Sequence, residues 1–332
     1  MPANLTPEYR RADQRYREAQ TAHERLAALE EMLRVIPKHK GTDKMCADLK
    51  RKISETKKEI AQAGRKGGVH RDLFHVPRQG AGQVVLLGVP NVGKSALVSA
   101  MTNADCKVAD YPFTTQVPQP GMARYEDVPI QLVDMPPFTR EHVPPGFMGR
   151  VNMADAILFV VSLASRNLLD DLECCLELYT DRGLVPTNQS DPDLSEDPDA
   201  PDPKKTLVAC THGDTEGATD EFATLKELYG DRLELHRVSS VTREGLPELL
   251  ARLFELLYVV RVYAKPPGKP VDKEAPFIVP KGSTVRDLAI TIHRALGEQL
   301  KGARVWGRAV YSGQNVPHDY VLHDRDIVEL HM

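Results

Sequence analysis

Eight residues, Gly88-Val89-Pro90-Asn91-Val92-Gly93-Lys94-Ser95, follow the apolar run Val84-Val85-Leu86-Leu87 without a break. Their spacing fits GxxxxGK[ST], and each part of that pattern has a physical task. A buried strand delivers a glycine-rich turn whose amides point at a phosphate. A helix that starts at the turn adds the positive end of its dipole. Lys94 would reach the outer phosphates as a point charge, and the Ser95 hydroxyl would ligate Mg²⁺. Gly88, Asn91, Val92, Gly93 and Ala96 would complete the cradle. The chemistry expected is the grip of a purine nucleoside triphosphate.

Polar residues at the ends of later apolar runs narrow the base and the metal. Tyr111-Pro112-Phe113-Thr114-Thr115 falls between the first helix and the next strand, where Thr115 can ligate Mg²⁺ and sense a γ-phosphate. Asp134 ends Ile130-Gln131-Leu132-Val133, a place from which a carboxylate can hold the water shell of the metal. Asp214 follows Leu207–Cys210 and can accept both N–H groups of guanine. Adenine has no N1–H donor to offer it, so GTP is favoured over ATP. Ser239 and Ser240 follow Val238, where a backbone N–H can meet the guanine carbonyl. Lys94, Thr115 and Asp134 are the candidate catalytic residues, and Ser95, Thr115 and Asp134 the candidate metal ligands.

These residues need a scaffold, and the pattern from residue 83 onward supplies one. Apolar strands at 83–87, 129–133, 156–161, 206–210 and 233–238 alternate with amphipathic helices at 94–102, 168–179, 219–229 and 246–258. That alternation implies an α/β fold with a parallel sheet covered by helices on both faces. Residues 181–203 hold five prolines and seven acidic residues and read as a disordered acidic loop. Upstream, apolar steps of three and four run from Thr6 to Ile36 and from Asp43 to Ala63, separated by Pro37-Lys38-His39-Lys40-Gly41. They predict a two-helix hairpin packed on the body. Gly64–Gly68 opens a linker. Beyond the tether Lys265–Pro270, strands near 277–279, 303–306 and 326–331 and a helix near 285–296 predict a small α+β domain.

At 332 residues the chain should hold two or three domains. No run of 18 apolar residues is present, which argues against a membrane span. The polar start has no apolar signal core, and the five cysteines have no zinc spacing, so the expected setting is cytoplasmic. Residues 1–80 carry 18 Lys and Arg against 11 Asp and Glu, while the whole chain has a net charge of −4. A basic arm beside an acidic body suits a polyanion such as RNA; no DNA or membrane partner is expected.

With these motifs in order, the chain resembles the developmentally regulated GTP-binding (DRG) branch of the Obg GTPase superfamily. Gly88–Ser95 matches the phosphate loop of that family, and Asp110–Thr115 its first switch segment. Ile36–Lys44 resembles its N-terminal hairpin. Val260–Pro266 and Ala303–Gly307 are similar to a TGS domain, a ubiquitin-like β-grasp module. The resemblance implies a P-loop GTPase fold at 83–260, an N-terminal helical hairpin at 1–66, a linker at 67–82 and a TGS domain at 261–332. It further implies binding of GTP and GDP, slow Mg²⁺-dependent hydrolysis, and association with ribosomes or RNA through the hairpin and the TGS domain.

The chain also departs from that pattern. The family's DxPG reads Asp134-Met135-Pro136-Pro137, and proline lacks the N–H that the glycine would offer a γ-phosphate. Its NKxD reads Thr211-His212-Gly213-Asp214, which keeps the guanine-pairing carboxylate and places Thr211 and His212 where Asn and Lys would stand. Phe138 occupies the position from which a glutamine could orient water. Related enzymes use K⁺ with an asparagine at the position of Asn91, and K⁺ is an optional second ion here. Arg140 and Arg150 are expected at the surface. These departures leave a second reading open, a degenerate GTPase that serves as a nucleotide-binding adaptor.

Overall fold

The structure is a computed structural model that describes residues 6–19, 22–37, 42–66, 74, 76–102, 117–190, 200–266, 268, 270–271 and 276–331. At the N-terminus stand helices α1 (Pro7–Glu18), α2 (Ala22–Val35) and α3 (Asp43–Lys66). The expected single helix from Thr6 to Ile36 is therefore two. It breaks at Ala19, whose backbone is extended at ψ 120°. The reason is burial: folding α1 back on α2 seats Tyr9 and Ala12 in one core with Leu29, Met32, Ile36, Leu49 and Ile53. A continuous helix would have left Tyr9 and Ala12 in water. The N-terminal unit is thus three helices rather than a hairpin.

The central domain runs β1 (Gln83–Leu87), α4 (Lys94–Met101), β2 (Gln119–Tyr125), β3 (Val128–Asp134), α5 (Phe147–Met153), β4 (Ala156–Ser162), α6 (Leu168–Thr180), β5 (Leu184–Thr187), β6 (Asp202–Thr211), α7 (Ala218–Tyr229), β7 (Leu235–Arg237) and α8 (Leu246–Leu257). The sheet order is β2-β3-β1-β4-β6-β5, with β7 also on β6. Every pairing is parallel except β2–β3, which is an antiparallel hairpin. Alternate residues of the central strands feed two separate cores. Val85, Leu87, Ile157 and Phe159 face one layer of helices, and Val84, Leu86, Leu158 and Val160 face the other. Burial on both faces explains why these strands read as unbroken apolar runs.

Two sequence expectations need correction here. The acidic segment 181–203 is not a disordered loop throughout: Leu184–Thr187 pairs with Asp202–Lys205 and extends the sheet. Leu184 is buried, and the backbone ladder supplies what the composition did not advertise. Residues 191–199 lie outside the described residues. Likewise the second half of the 67–82 linker belongs to the fold, since Phe74 and Val76 are buried in the core and Gly80 bridges Ile130. Residues 67–73 and 75 lie outside the described residues.

The C-terminal domain comprises β8 (Val259–Ala264), β9 (Phe277–Pro280), α9 (Val285–Ile292), α10 (Arg294–Gln299), β10 (Gly302–Trp306), β11 (Gln314–Val316) and β12 (Asp326–His331). Its sheet order is β11-β10-β12-β8-β9, with β8 and β12 parallel. Thr284 and Asp287 form a capping box that starts α9. The predicted helix at 285–296 is divided at His293, whose backbone is extended. The first strand begins at Val259, ahead of the expected boundary at 261.

The N-terminal unit packs on the central domain through charge. Arg11 and Arg15 pair with Asp202, and Arg34 and Arg78 with Asp155. Lys204 Nζ donates to the Asn152 and Ala154 carbonyls at 2.8 and 2.6 Å, at the end of α5. Two carboxylates of the body, Asp155 and Asp202, therefore take up part of the basic excess of the arm.

Candidate nucleotide site

Loop 88–93 joins β1 to α4, and two glycines make its path possible. A Cβ on Gly88 would lie 2.4 Å from the Val160 carbonyl oxygen, so the loop can leave β1 this close to β4 only without a side chain. Gly93, at φ +87°, is the N-cap of α4 in the left-handed region. Asn91 also has positive φ, 63°, and stands exposed at the loop tip. Val92 is buried under the loop and anchors it, while Ala96 is exposed on the first turn of α4.

Lys94, Ser95 and Asp134 come together as the spacing implied. Lys94 is 7 % exposed, and its Nζ donates to the Gly88 and Val89 carbonyls at 2.8 and 2.9 Å. Desolvation pulls its pKa below the usual lysine range, with the Asp134 charge acting the other way. The Ser95 hydroxyl donates to Asp134 Oδ2 over 2.5 Å. Asp134 is itself buried, and its Oδ1 has no hydrogen-bond partner among the described residues. Burial pushes this carboxyl above its ordinary pKa, and the Ser95 bond and Lys94 only partly offset that. A hydroxyl and an orphaned carboxylate oxygen beside the start of α4 form a hard-oxygen donor set that fits Mg²⁺. Thr115, the third expected ligand, lies outside the described residues.

Thr211 and His212 tie the base-side loop to the phosphate loop. Thr211 is 1 % exposed, and its Oγ1 lies 2.7 Å from the Val92 carbonyl and 3.1 Å from that of Val161. His212 has φ 57°, and its Nδ1 sits 2.9 Å from Ser162 Oγ and 3.1 Å from Thr211 Oγ1. The imidazole Cε1 would lie 3.5 Å from a Cβ on Gly93, so the ring flanks the phosphate loop. Ser162 was missed in the sequence; its only signal was a polar residue closing the apolar run of β4.

Asp214 is exposed, and a hydrogen bond from the Ser239 hydroxyl holds its carboxyl below the usual range. Ser239 Oγ also accepts from the Val241 and Thr242 amides at 3.1 and 3.0 Å, which shapes the loop. The Ser239 amide is already given to the Glu244 carbonyl. Of the two serines, Ser240 is thus the one left to offer a backbone N–H.

The segment after Asp134 is packed into the core. Met135 and Phe138 are buried, and Phe138 lies in the aromatic group with Phe147 and Phe74. Arg140 is at the surface, as expected, and pairs with Glu177 at 2.6 Å. Arg150 is not: it is 3 % exposed and donates to the Val76 carbonyl at 2.9 Å. It clamps the former linker against α5, a task that calls for a buried guanidinium.

Residues 83–185 match the family model for the 50S ribosome-binding GTPases, and residues 260–332 match the TGS domain. An uncharacterized GTP-binding protein of Halobacterium salinarum is 29% identical, the alignment covering 92% of this chain and 98% of that one. Developmentally-regulated G-protein 1 of Arabidopsis thaliana is 27% identical, over 92% of this chain and 90% of its own. Among solved structures, the GTP binding protein from Pyrococcus horikoshii OT3 superposes with a TM-score of 0.48 at 17% identity, over 75% of this chain and 99% of that one. The class is that of a P-loop GTPase domain followed by a TGS domain. Within it, the chain is similar over 92% of its length to GTP-binding proteins of the developmentally regulated (DRG) type.

Proposed function

We propose that the chain binds GTP and GDP with Mg²⁺ at loop 88–95 and hydrolyses GTP slowly, in association with a ribosome or RNA. The observation that carries this is the buried Asp134 oxygen without a partner, beside Ser95 and within the field of Lys94. Bound Mg²⁺ would supply charge neutralisation between phosphate oxygens, held by Ser95, Asp134 and, from outside the described residues, Thr115. Lys94 would exchange its two loop carbonyls for phosphate oxygens. Slow turnover follows from Phe138, whose buried ring cannot orient water, and from Pro137, which has no N–H to give. Asn91, exposed at the loop tip, is the residue that would recruit K⁺. The partner reading draws on the matched family description and on Lys44, Lys50 and Lys58, which stay exposed along α3. A cytoplasmic setting is inferred from the free thiols of Cys46, Cys174, Cys175 and Cys210. Among the described residues no helix is long and apolar enough to cross a membrane.

The second reading, an adaptor that binds nucleotide without hydrolysing it, is favoured by the way Met135 and Phe138 fix the loop after Asp134. Competition of GTP, GDP and ATP against one fluorescent analogue tests the binding, with GTP and GDP expected to win over ATP. Single-turnover assays with ribosomes and K⁺ separate the two readings. Phosphate release no faster than that of Lys94→Ala leaves the adaptor.

A further inference from the structure

The β2–β3 hairpin has the nucleotide site at its open end and the TGS domain at its closed end. At the open end Gln119 pairs with Asp134, and β2 comes shortly after Thr115 in the chain. The ladder then runs in unbroken register to Tyr125 and Val128. At the closed end the turn residues Glu126 and Asp127 meet Arg261 of β8. Arg261 Nη1 lies 2.5 Å from Glu126 Oε2 and 2.7 Å from Asp127 Oδ1, and its Nε lies 3.0 Å from Asp324 Oδ1. The residue is 2 % exposed, and its guanidinium sits over the rings of Phe254 and Tyr125 at 5.0 and 5.8 Å. Tyr263 donates to Asp127 Oδ2 over 2.6 Å, and Arg325 pairs with Glu126 at 2.7 Å.

Such a joint does not yield by degrees. A buried guanidinium that loses one carboxylate keeps the cost of its desolvation, so the contact is either made or broken. On the other side of Asp134 the chain is held by Met135 and Phe138 in the core. The hairpin is the element left to respond when the metal site fills.

We propose that the β2–β3 hairpin, with Asp134 at one end and Glu126 and Asp127 on Arg261 at the other, couples the bound nucleotide to the docking of the TGS domain. The proposal rests on nucleotide binding at loop 88–95, and it adds what that binding controls. By linkage, the factor by which GTP rather than GDP shifts the joint must equal the factor by which the joint shifts the GTP-to-GDP affinity ratio.

The test uses the full chain, wild type and Glu126→Gln/Asp127→Asn, with Mg²⁺ and either GDP or a non-hydrolysable GTP analogue. Binding is measured by calorimetry, and docking by amide exchange in peptides spanning 259–264 and 323–328. The lone tryptophan, Trp306, lies in the TGS domain, and its emission checks that this domain remains folded in the variant. In the wild type, exchange of the two segments should differ at least threefold between the two nucleotides. In the variant that difference should vanish, and the affinity ratio should change by a matching factor. Saturable binding of both nucleotides with equal exchange in the wild type overturns the coupling alone. A variant that keeps the wild-type difference also overturns it. No heat with either nucleotide overturns the nucleotide reading and the coupling with it.

Discussion

The rings of Phe138 and Phe147 lie 5.5 Å apart at an angle of 58°, which pins the chain four residues beyond Asp134 to the first residue of α5. Pro137, next to it, is exposed and contributes nothing to that core. The two neighbours should therefore separate in their effects. Phe138→Ala should cost about 3–5 kcal/mol of stability, as large-to-small changes in a core do. Pro137→Gly should cost under about 1 kcal/mol, through unfolded-chain entropy. It should also raise single-turnover hydrolysis roughly tenfold or more by restoring an N–H donor near the phosphate. Urea titrations and phosphate release measured on both variants check this. Unchanged hydrolysis in Pro137→Gly would show that the missing amide is not what limits the rate.

Asp134 predicts a pH dependence with a definite sign. Its folded pKa is raised by burial, so in the free protein its contribution is most favourable below about pH 4, where the unfolded carboxyl is also protonated. Stability is lost as pH rises from there through the raised value. Asp134→Asn removes the buried charge, so the variant should be more stable than wild type at pH 7.5 and lose that advantage near pH 4. Saturating Mg²⁺ and GDP should reverse the order at pH 7.5, because only the carboxylate can hold the metal. Thermal melts at two pH values, with and without ligand, read all four corners.

The strands of the central sheet were legible because they are buried on both faces, and Gly88–Ser95 because its spacing is imposed by a phosphate. What escaped is what depends on contacts across the chain. The break at Ala19 follows from the need to bury Tyr9 and Ala12 against α2, and periodicity along one segment is blind to that. The strand at Leu184–Thr187 was hidden by its own Pro186 and by the prolines and acids that follow it, yet the edge of β6 accepts its backbone. Arg150 and Arg261 look like any surface arginine in the sequence, and only the tertiary structure buries them and supplies their acceptors. The basic arm was read as a sign of a polyanion, while Asp155 and Asp202 take up four of its arginines.

Lys204 should make stability depend on pH in the alkaline range. The residue is half-buried, but its ammonium rests on two carbonyls, and desolvation lowers its pKa to about 7, against the opposing pull of Glu31. The unfolded lysine titrates near 10.4, so the unfolded chain binds more protons anywhere between the two values. Stability should rise with pH across that interval and flatten below about 7. Lys204→Met should remove the slope and be the more stable form at neutral pH. Urea midpoints at pH 7, 8.5 and 10 would reveal it, and parallel curves for the two proteins would refute it.

Asp214 offers the sharpest check on the base. Its exposed carboxylate, held by the Ser239 hydroxyl, can only accept, and guanine presents two N–H groups in the matching place. Asp214→Asn exchanges one acceptor oxygen for a donor, which suits a base that carries a carbonyl where guanine carries its amino group. GDP affinity should fall at least about tenfold, and the diphosphate of xanthine should gain by a similar factor, since a site built to hydrogen-bond one edge rejects the other. ADP should bind poorly to both forms, having no N1–H to give. The phosphate loop is untouched by the change, so pyrophosphate with Mg²⁺ should compete equally well for the two proteins. Equal losses for GDP and pyrophosphate would mean that the substitution had disturbed the loop through Thr211 and Val92 rather than altered the reading of the base.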